Sequence, residues 1–115
     1  MNKTIEKYPV KFIFIENRKT SVSESSEYEI LAQYLDIWRD PREIKETLLP
    51  GINSVLEGEV SFVEIGADVV GLAVVQKEKT ELCGSEVGYK DLIMPSIDFR
   101  NLVMEWLEFL ESQNR

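Results

Sequence analysis

Twenty-one aspartates and glutamates stand against 13 lysines and arginines in this chain, and there is no histidine. The missing imidazole removes Ser-His and Cys-His nucleophile pairs, zinc centres built from His and Cys, and any group that titrates near neutrality without a large shift. What remains is carboxylate chemistry: a paired acid and base of the glycosidase kind, or an oxygen-ligated magnesium site. The sequence has no D-x-D-type loop and no GxxxxGK[ST] phosphate cradle, and Gly66, Gly71, Gly84 and Gly88 lack both dinucleotide spacing and a following helix. It points away from catalysis, and no cofactor or metal is expected. Cys83, the single cysteine, sits between Leu82 and Gly84, reads as a small packed residue and permits no internal disulfide.

The acids make better sense as binding groups. Glu24, Glu27, Glu29, Asp36, Asp40, Glu43 and Glu46 crowd one region, opposed there only by Arg39, Arg42 and Lys45, and Glu57, Glu59, Glu64 and Asp68 form a second group. Each group is a candidate docking surface for a basic partner; the plainer alternative is a solvated face that keeps the chain soluble. Tyr28 and Tyr89, in polar surroundings, are candidate aromatic anchors. Glu105, Glu108 and Glu111, three residues apart, read as the solvated face of a helix.

The charge is also uneven. Residues 1–23 hold five basic and two acidic groups, net +3, which leaves −11 on the other 92 residues and −8 overall. Such a balance opposes binding to nucleic acid, whose phosphates it repels, and favours a basic protein.

The elements that must position these groups follow from periodicity. Val10 to Ile15 reads as a strand near the middle of a sheet, and Thr20 to Ser26 as a loop or the ragged end of a hairpin. From Glu27 a helix brings Ile30, Leu31, Tyr34, Leu35 and Trp38 onto one stripe, with Ser25 or Ser26 as its cap and Asp40-Pro41 as its stop. Pro41 starts a second helix whose stripe Ile44, Leu48, Ile52 and Leu56 is interrupted by Pro50-Gly51, so a break or kink is expected near Leu49. After Gly58 alternation begins, and Gly66-Ala-Asp68 turns the chain into the apolar run Val69 to Val75. Thr80 to Cys83 makes a third strand of that set. Last comes a helix after Pro95, with Phe99, Leu102, Val103, Trp106 and Leu110 on its buried stripe and Ser96 or Asp98 as its cap. The fold expected is α+β, a small, mostly antiparallel sheet packed with helices, in a single domain over residues 1–115. No apolar run approaches the roughly 20 residues of a membrane span, and the first residues lack the apolar core of a signal peptide, so a cytoplasmic protein is expected.

Over roughly residues 38–110 the sequence resembles immunity proteins of bacterial contact-dependent growth inhibition systems. The residues that carry the likeness are Trp38 closing a helix, Asp40-Pro-Arg-Glu-Ile-Lys-Glu-Thr-Leu48, Val55-Leu-Glu-Gly-Glu59, the apolar hairpin, and Ile93-Met-Pro-Ser-Ile-Asp-Phe-Arg-Asn-Leu-Val-Met-Glu-Trp-Leu-Glu-Phe109. The resemblance implies an antitoxin that binds the C-terminal toxin domain of a large exported effector, often a nuclease with a basic substrate surface. It implies no particular contact residues; the acids and tyrosines above are candidates by local density alone. Two other classes stay open: a homo-oligomeric or adaptor module, a homodimer for example, that pairs a free edge strand with another chain, and an enzyme working through converging carboxylates.

Overall fold

The computed structural model describes residues 3–67, 71–84 and 88–112. It is an α+β fold in three layers: a two-stranded hairpin, a middle layer of helices, and a four-stranded antiparallel sheet.

The hairpin joins β1 (Val10–Ile15) to β2 (Arg18–Ser23). Its loop is Glu16-Asn17, and both residues have positive φ, 50° and 66°. That left-handed pair is what a two-residue loop needs to follow the twist of its strands. β1 is therefore not a central strand, as its composition suggested. Only Val10 is buried, while Phe14 and Ile15 face solvent. The stretch Thr20 to Ser26, expected as a loop or the ragged end of a hairpin, is hairpin strand as far as Ser23, with Val10 opposite Ser23 and Phe12 opposite Ser21. Its small hydroxyl side chains let β2 lie directly on the first helix, and Ser21 is fully buried there.

A 3-10 turn over Ser26–Tyr28, with Ser25 accepting from the Glu27 N–H, leads into α1 (Glu29–Ile37). Five of its nine residues are buried, because the hairpin covers one side of it and the large sheet the other. Asp40 caps α2 (Pro41–Glu43) by accepting from the Arg42 N–H, and Pro41 occupies the first turn as its missing donor allows. Near Leu49, where a break or kink was expected, the chain stays helical but leaves regular α geometry. A π-helical stretch, Ile44–Leu48, runs straight into α3 (Leu49–Leu56), and the Leu49 N–H reaches back five residues to the Ile44 carbonyl. The wider turn accommodates Pro50 where a regular helix would clash. Gly51 then lets α3 come close to the sheet, since a methyl there would stand 3.0 Å from Ile65 Cδ1. Gly58, at φ +83°, ends the helical region as its position suggested.

β3 (Phe62–Ala67), β4 (Gly71–Gln76), β5 (Lys79–Cys83) and β6 (Leu92–Pro95) form a meander in that order. Alternation in β3 is as expected, with Val63, Ile65 and Ala67 turned inward and Phe62 and Glu64 outward. Gly66 and Ala67 belong to the strand and not to a turn, and Asp68 lies outside the described residues. β6 was not foreseen, since four residues running into a proline carry no periodic signal. Gly71 has a tight place, because a methyl on it would meet the Cys83 carbonyl oxygen at 2.6 Å and Ile30 Cδ1 at 3.3 Å.

α4 (Ser96–Glu111) closes the fold, with Phe99, Leu102, Val103 and Trp106 fully buried. Neither expected cap acts as one. Ser96 Oγ is 2.7 Å from Thr80 Oγ1 and also bonds the Gln76 carbonyl, while Asp98 is drawn to Lys7 and Tyr8. Trp106 donates its indole N–H to the Trp38 carbonyl at 2.7 Å and meets the Phe12 ring at 5.1 Å. Buried residues of all three layers belong to one apolar cluster.

Candidate binding surfaces

The acids divide by what they touch. On the hairpin side they are engaged within the chain. Asp36, on α1, accepts from Arg39 at 2.9 Å, Arg18 at 3.3 Å and the Ser21 N–H at 3.1 Å. Glu24 pairs with Lys11 at 2.7 Å. The ridge on α4 is not a free solvated face either. Glu105 accepts from the N–H groups of Thr4 and Ile5 at 2.8 and 3.0 Å, Glu108 pairs with Lys3 at 3.0 Å, and Glu111 pairs with Lys45. Asp98, nearly buried, accepts from the Tyr8 hydroxyl at 2.6 Å and from Lys7 at 3.2 Å. Burial and the adjoining carboxylate raise the Tyr8 pKa well above the usual phenol range.

These contacts hold residues 3–8 against α4 and leave a groove of about 740 Å³ between that segment, β1 and the end of α4. Ile5, Tyr8, Phe12 and Phe109 line it. Of the acids that line it, Glu108 pairs with Lys3, Glu24 pairs with Lys11 and Glu105 is held by the N–H groups of Thr4 and Ile5, while Glu6 is outside the ion pairs of the described residues.

The opposite end of the molecule differs. The inner face of the large sheet is covered by helices, whereas its outer face is open. Strand register sets the outer side chains in rows. One row runs Glu64, Val74, Glu81, Ile93 across all four strands. Beside it lie Phe62 and Gln76 on one side and Leu72 and Cys83 on the other. Among the described residues, the two most exposed large apolar side chains, Ile93 at 59% and Phe62 at 52%, both stand here. Asp91 borders the face, with donor atoms of Glu81, Cys83 and Asp91 all within 4.8 Å of one another. Asp91 also accepts from the Gly84 N–H at 3.0 Å, which fixes the start of the loop after β5. Burial first, then the carboxylates of Glu81, Asp91 and Glu64, raise the Cys83 pKa, so the thiol stays protonated and is a poor nucleophile.

The density-based candidates therefore separate. Asp36, Asp40 and Glu24 serve the fold through ion pairs or a cap. Tyr28 is half-buried and packs edge-on against Tyr8, with ring centroids 5.7 Å apart, and Tyr89 packs against the core. Glu27, Glu29, Glu43, Glu46, Glu57, Glu59 and Glu64 are exposed, and among the described residues none of them is in an ion pair. The first four lie on the helical side, Glu57 and Glu59 precede β3, and only Glu64 stands on the open sheet face. Sequence density missed Glu81, Asp91, Phe62 and Ile93, which strand pairing alone brings together; the alternation through β3 and β5 was the available signal. Among the described residues no helix is long and apolar enough to cross a membrane. A scan against protein-family profiles, a search of curated proteins and a search of solved structures each gave no match to the chain.

Proposed function

We propose that this protein is a stoichiometric inhibitor of a basic protein domain, in the manner of the immunity proteins its sequence resembles, with the toxin end of an exported effector as its partner. The observation that carries this reading is the division of charge. Lys3, Lys7, Arg18, Arg39 and Lys45 are paired with acids of α1 and α4, and Lys11 with Glu24, while seven exposed glutamates between Glu27 and Glu64 have no such pair among the described residues. An uncompensated acidic surface attracts a basic one, speeds its association and makes the complex salt-sensitive. A nuclease is the toxin class that best meets this condition, because its substrate site must be basic to hold phosphates.

The test is co-purification of the tagged chain from its own cells at low and moderate salt. A basic fragment from the C-terminus of a large exported protein should be recovered, less of it at the higher salt. Expressed alone the fragment should be toxic, and equimolar co-expression of this chain should relieve the toxicity. Recovery of the chain alone, at a mass above the monomer, would overturn the inhibitor reading in favour of a self-associating module.

A further inference from the structure

We infer that the outer face of the β3–β6 sheet is a docking surface for a basic polypeptide surface with an apolar centre. The inference deepens the proposed function by assigning it a place on the molecule.

Three observations bear on it. Phe62 and Ile93, on strands at opposite edges of the sheet, are the most exposed large apolar groups described. Three strand spacings of about 4.8 Å and an offset of one row, about 6.8 Å, put them roughly 16 Å from each other across the face. Apolar groups at that exposure are unremarkable singly, but two on one open sheet face, with Val74 between them and Leu72 in the next row, form a patch that water covers poorly.

Second, the charges within the patch are of one sign at its centre. Glu64 and Glu81 lie in the same cross-strand row, about 10 Å apart by strand spacing. Asp91 adjoins Glu81. The basic group on this face is Lys79, at the turn end of β5. Among the described residues neither Glu64 nor Glu81 is in an ion pair, unlike the hairpin-side acids Asp36, Glu24 and Glu108. Lysines or arginines that insert beside Glu64 and Glu81 find counter-charge that the chain itself does not satisfy.

Third, the same arrangement argues against the other occupants. Two copies docked face to face would bring their own Glu64, Glu81 and Asp91 carboxylates together, which costs binding energy unless a cation intervenes. In the groove near Tyr8, Glu24, Glu105 and Glu108 are already engaged by Lys11, the Thr4 and Ile5 N–H groups and Lys3, so it offers a basic partner less free counter-charge than the pair Glu64 and Glu81.

The test needs no cognate partner. The full chain, labelled with ¹⁵N, is titrated at low salt with an amidated peptide alternating arginine and leucine, and amide shifts are followed. Saturable shifts should centre on β3, β5 and β6. Replacing both Glu64→Gln and Glu81→Gln should weaken binding about fivefold or more, as should Ile93→Ser, while the charge-matched pair Glu6→Gln with Glu16→Gln, exposed acids outside both acidic groups, should change it less than about twofold. Equal weakening by the two pairs would mean that net charge alone attracts the peptide, and would overturn the assignment. So would shifts centred on the Tyr8 groove, concentration-dependent shifts of the same amides without peptide, or a response of the face to zinc chloride but not to peptide. The two proposals fail separately. A wild-type chain that captures no basic toxin removes the function and leaves the face. A captured toxin indifferent to Glu64→Gln with Glu81→Gln removes the face and leaves the function.

Discussion

The two β layers of this protein are held in opposite ways. The β1–β2 hairpin keeps few apolar side chains buried and is fastened by charge: Lys11 to Glu24, Arg18 to Asp36, Lys19 to the Leu110 carbonyl, and Arg39 to the Lys19 carbonyl. The β3–β6 sheet is fastened by its inner apolar face, where Ala73, Val75 and Leu82 are fully buried, and among the described residues its outer carboxylates Glu64 and Glu81 are in no ion pair. Acids of the same type thus have unlike roles, structural on one side and available on the other. The basic N-terminal segment decides which, since it supplies the cations that occupy the acids of α1 and α4.

The strongest way to test this contrast is to remove what both layers share. Trp106 is fully buried, bonds the Trp38 carbonyl and carries the Phe12 ring of the hairpin. Trp106→Ala should cost about 3–5 kcal/mol in urea unfolding, because the cavity and the orphaned carbonyl add to lost transfer energy. Loss of the hairpin alone, with the sheet still cooperative, would break the picture of a common core.

Next in size are two substitutions, one for each layer. Asp36→Ala strips three donors of their acceptor, the guanidinium groups of Arg18 and Arg39 and the Ser21 N–H, and should cost about 1–3 kcal/mol. Gly71→Ala should cost a similar amount, about 1–3 kcal/mol, by forcing a methyl onto the Cys83 carbonyl. The first loss should diminish in high salt and the second should not, since only the first removes charge interactions.

Alkaline pH gives a smaller and broader effect. Burial raises the Tyr34 pKa, and its hydroxyl donates to the Ile65 carbonyl at 2.8 Å; Tyr8 is raised by burial and by Asp98. In the unfolded chain these phenols ionise near pH 10 while in the fold they stay neutral. The stabilisation they give is therefore complete below about pH 10 and declines as pH rises beyond it toward the raised folded values, by up to about 1.4 kcal/mol per unit for a buried group such as Tyr34. Unfolding midpoints measured between pH 9 and 11.5 should fall, and Tyr34→Phe should flatten the fall. A flat wild-type curve would place both hydroxyls in water.

Much of the fold was legible because helices advertise themselves. The stripes Ile30 to Trp38 and Phe99 to Trp106 are long enough for spacing to identify them, and the proline at position 41 lies where a first turn tolerates it. What was not legible depends on distant partners. Val10 to Ile15 looks central by composition, yet its neighbours in space are α1 and α4, which no local pattern names. Ser96 and Asp98 have the chemistry of caps, but Thr80 and Tyr8 compete for them from 16 and 90 residues away. The candidate surface has the same difficulty. Runs of acids in sequence mark the helices, while Glu64, Glu81 and Asp91 are scattered along the chain and meet only once four strands are in register.

The smallest expected effect is the most informative about function. If Glu64 and Glu81 are available groups and not structural ones, removing their charge should leave stability within about 0.5 kcal/mol of wild type, or raise it slightly by relieving repulsion between carboxylates. The double variant Glu64→Gln with Glu81→Gln should unfold at the wild-type urea midpoint, beside an Asp36→Ala protein that unfolds well below it. A large loss would mean that these acids hold contacts within the fold, and the contrast between the two β layers would collapse. Retention of stability together with loss of peptide binding would separate the roles in one experiment, since a group that binds without stabilising is kept for what it meets outside the chain.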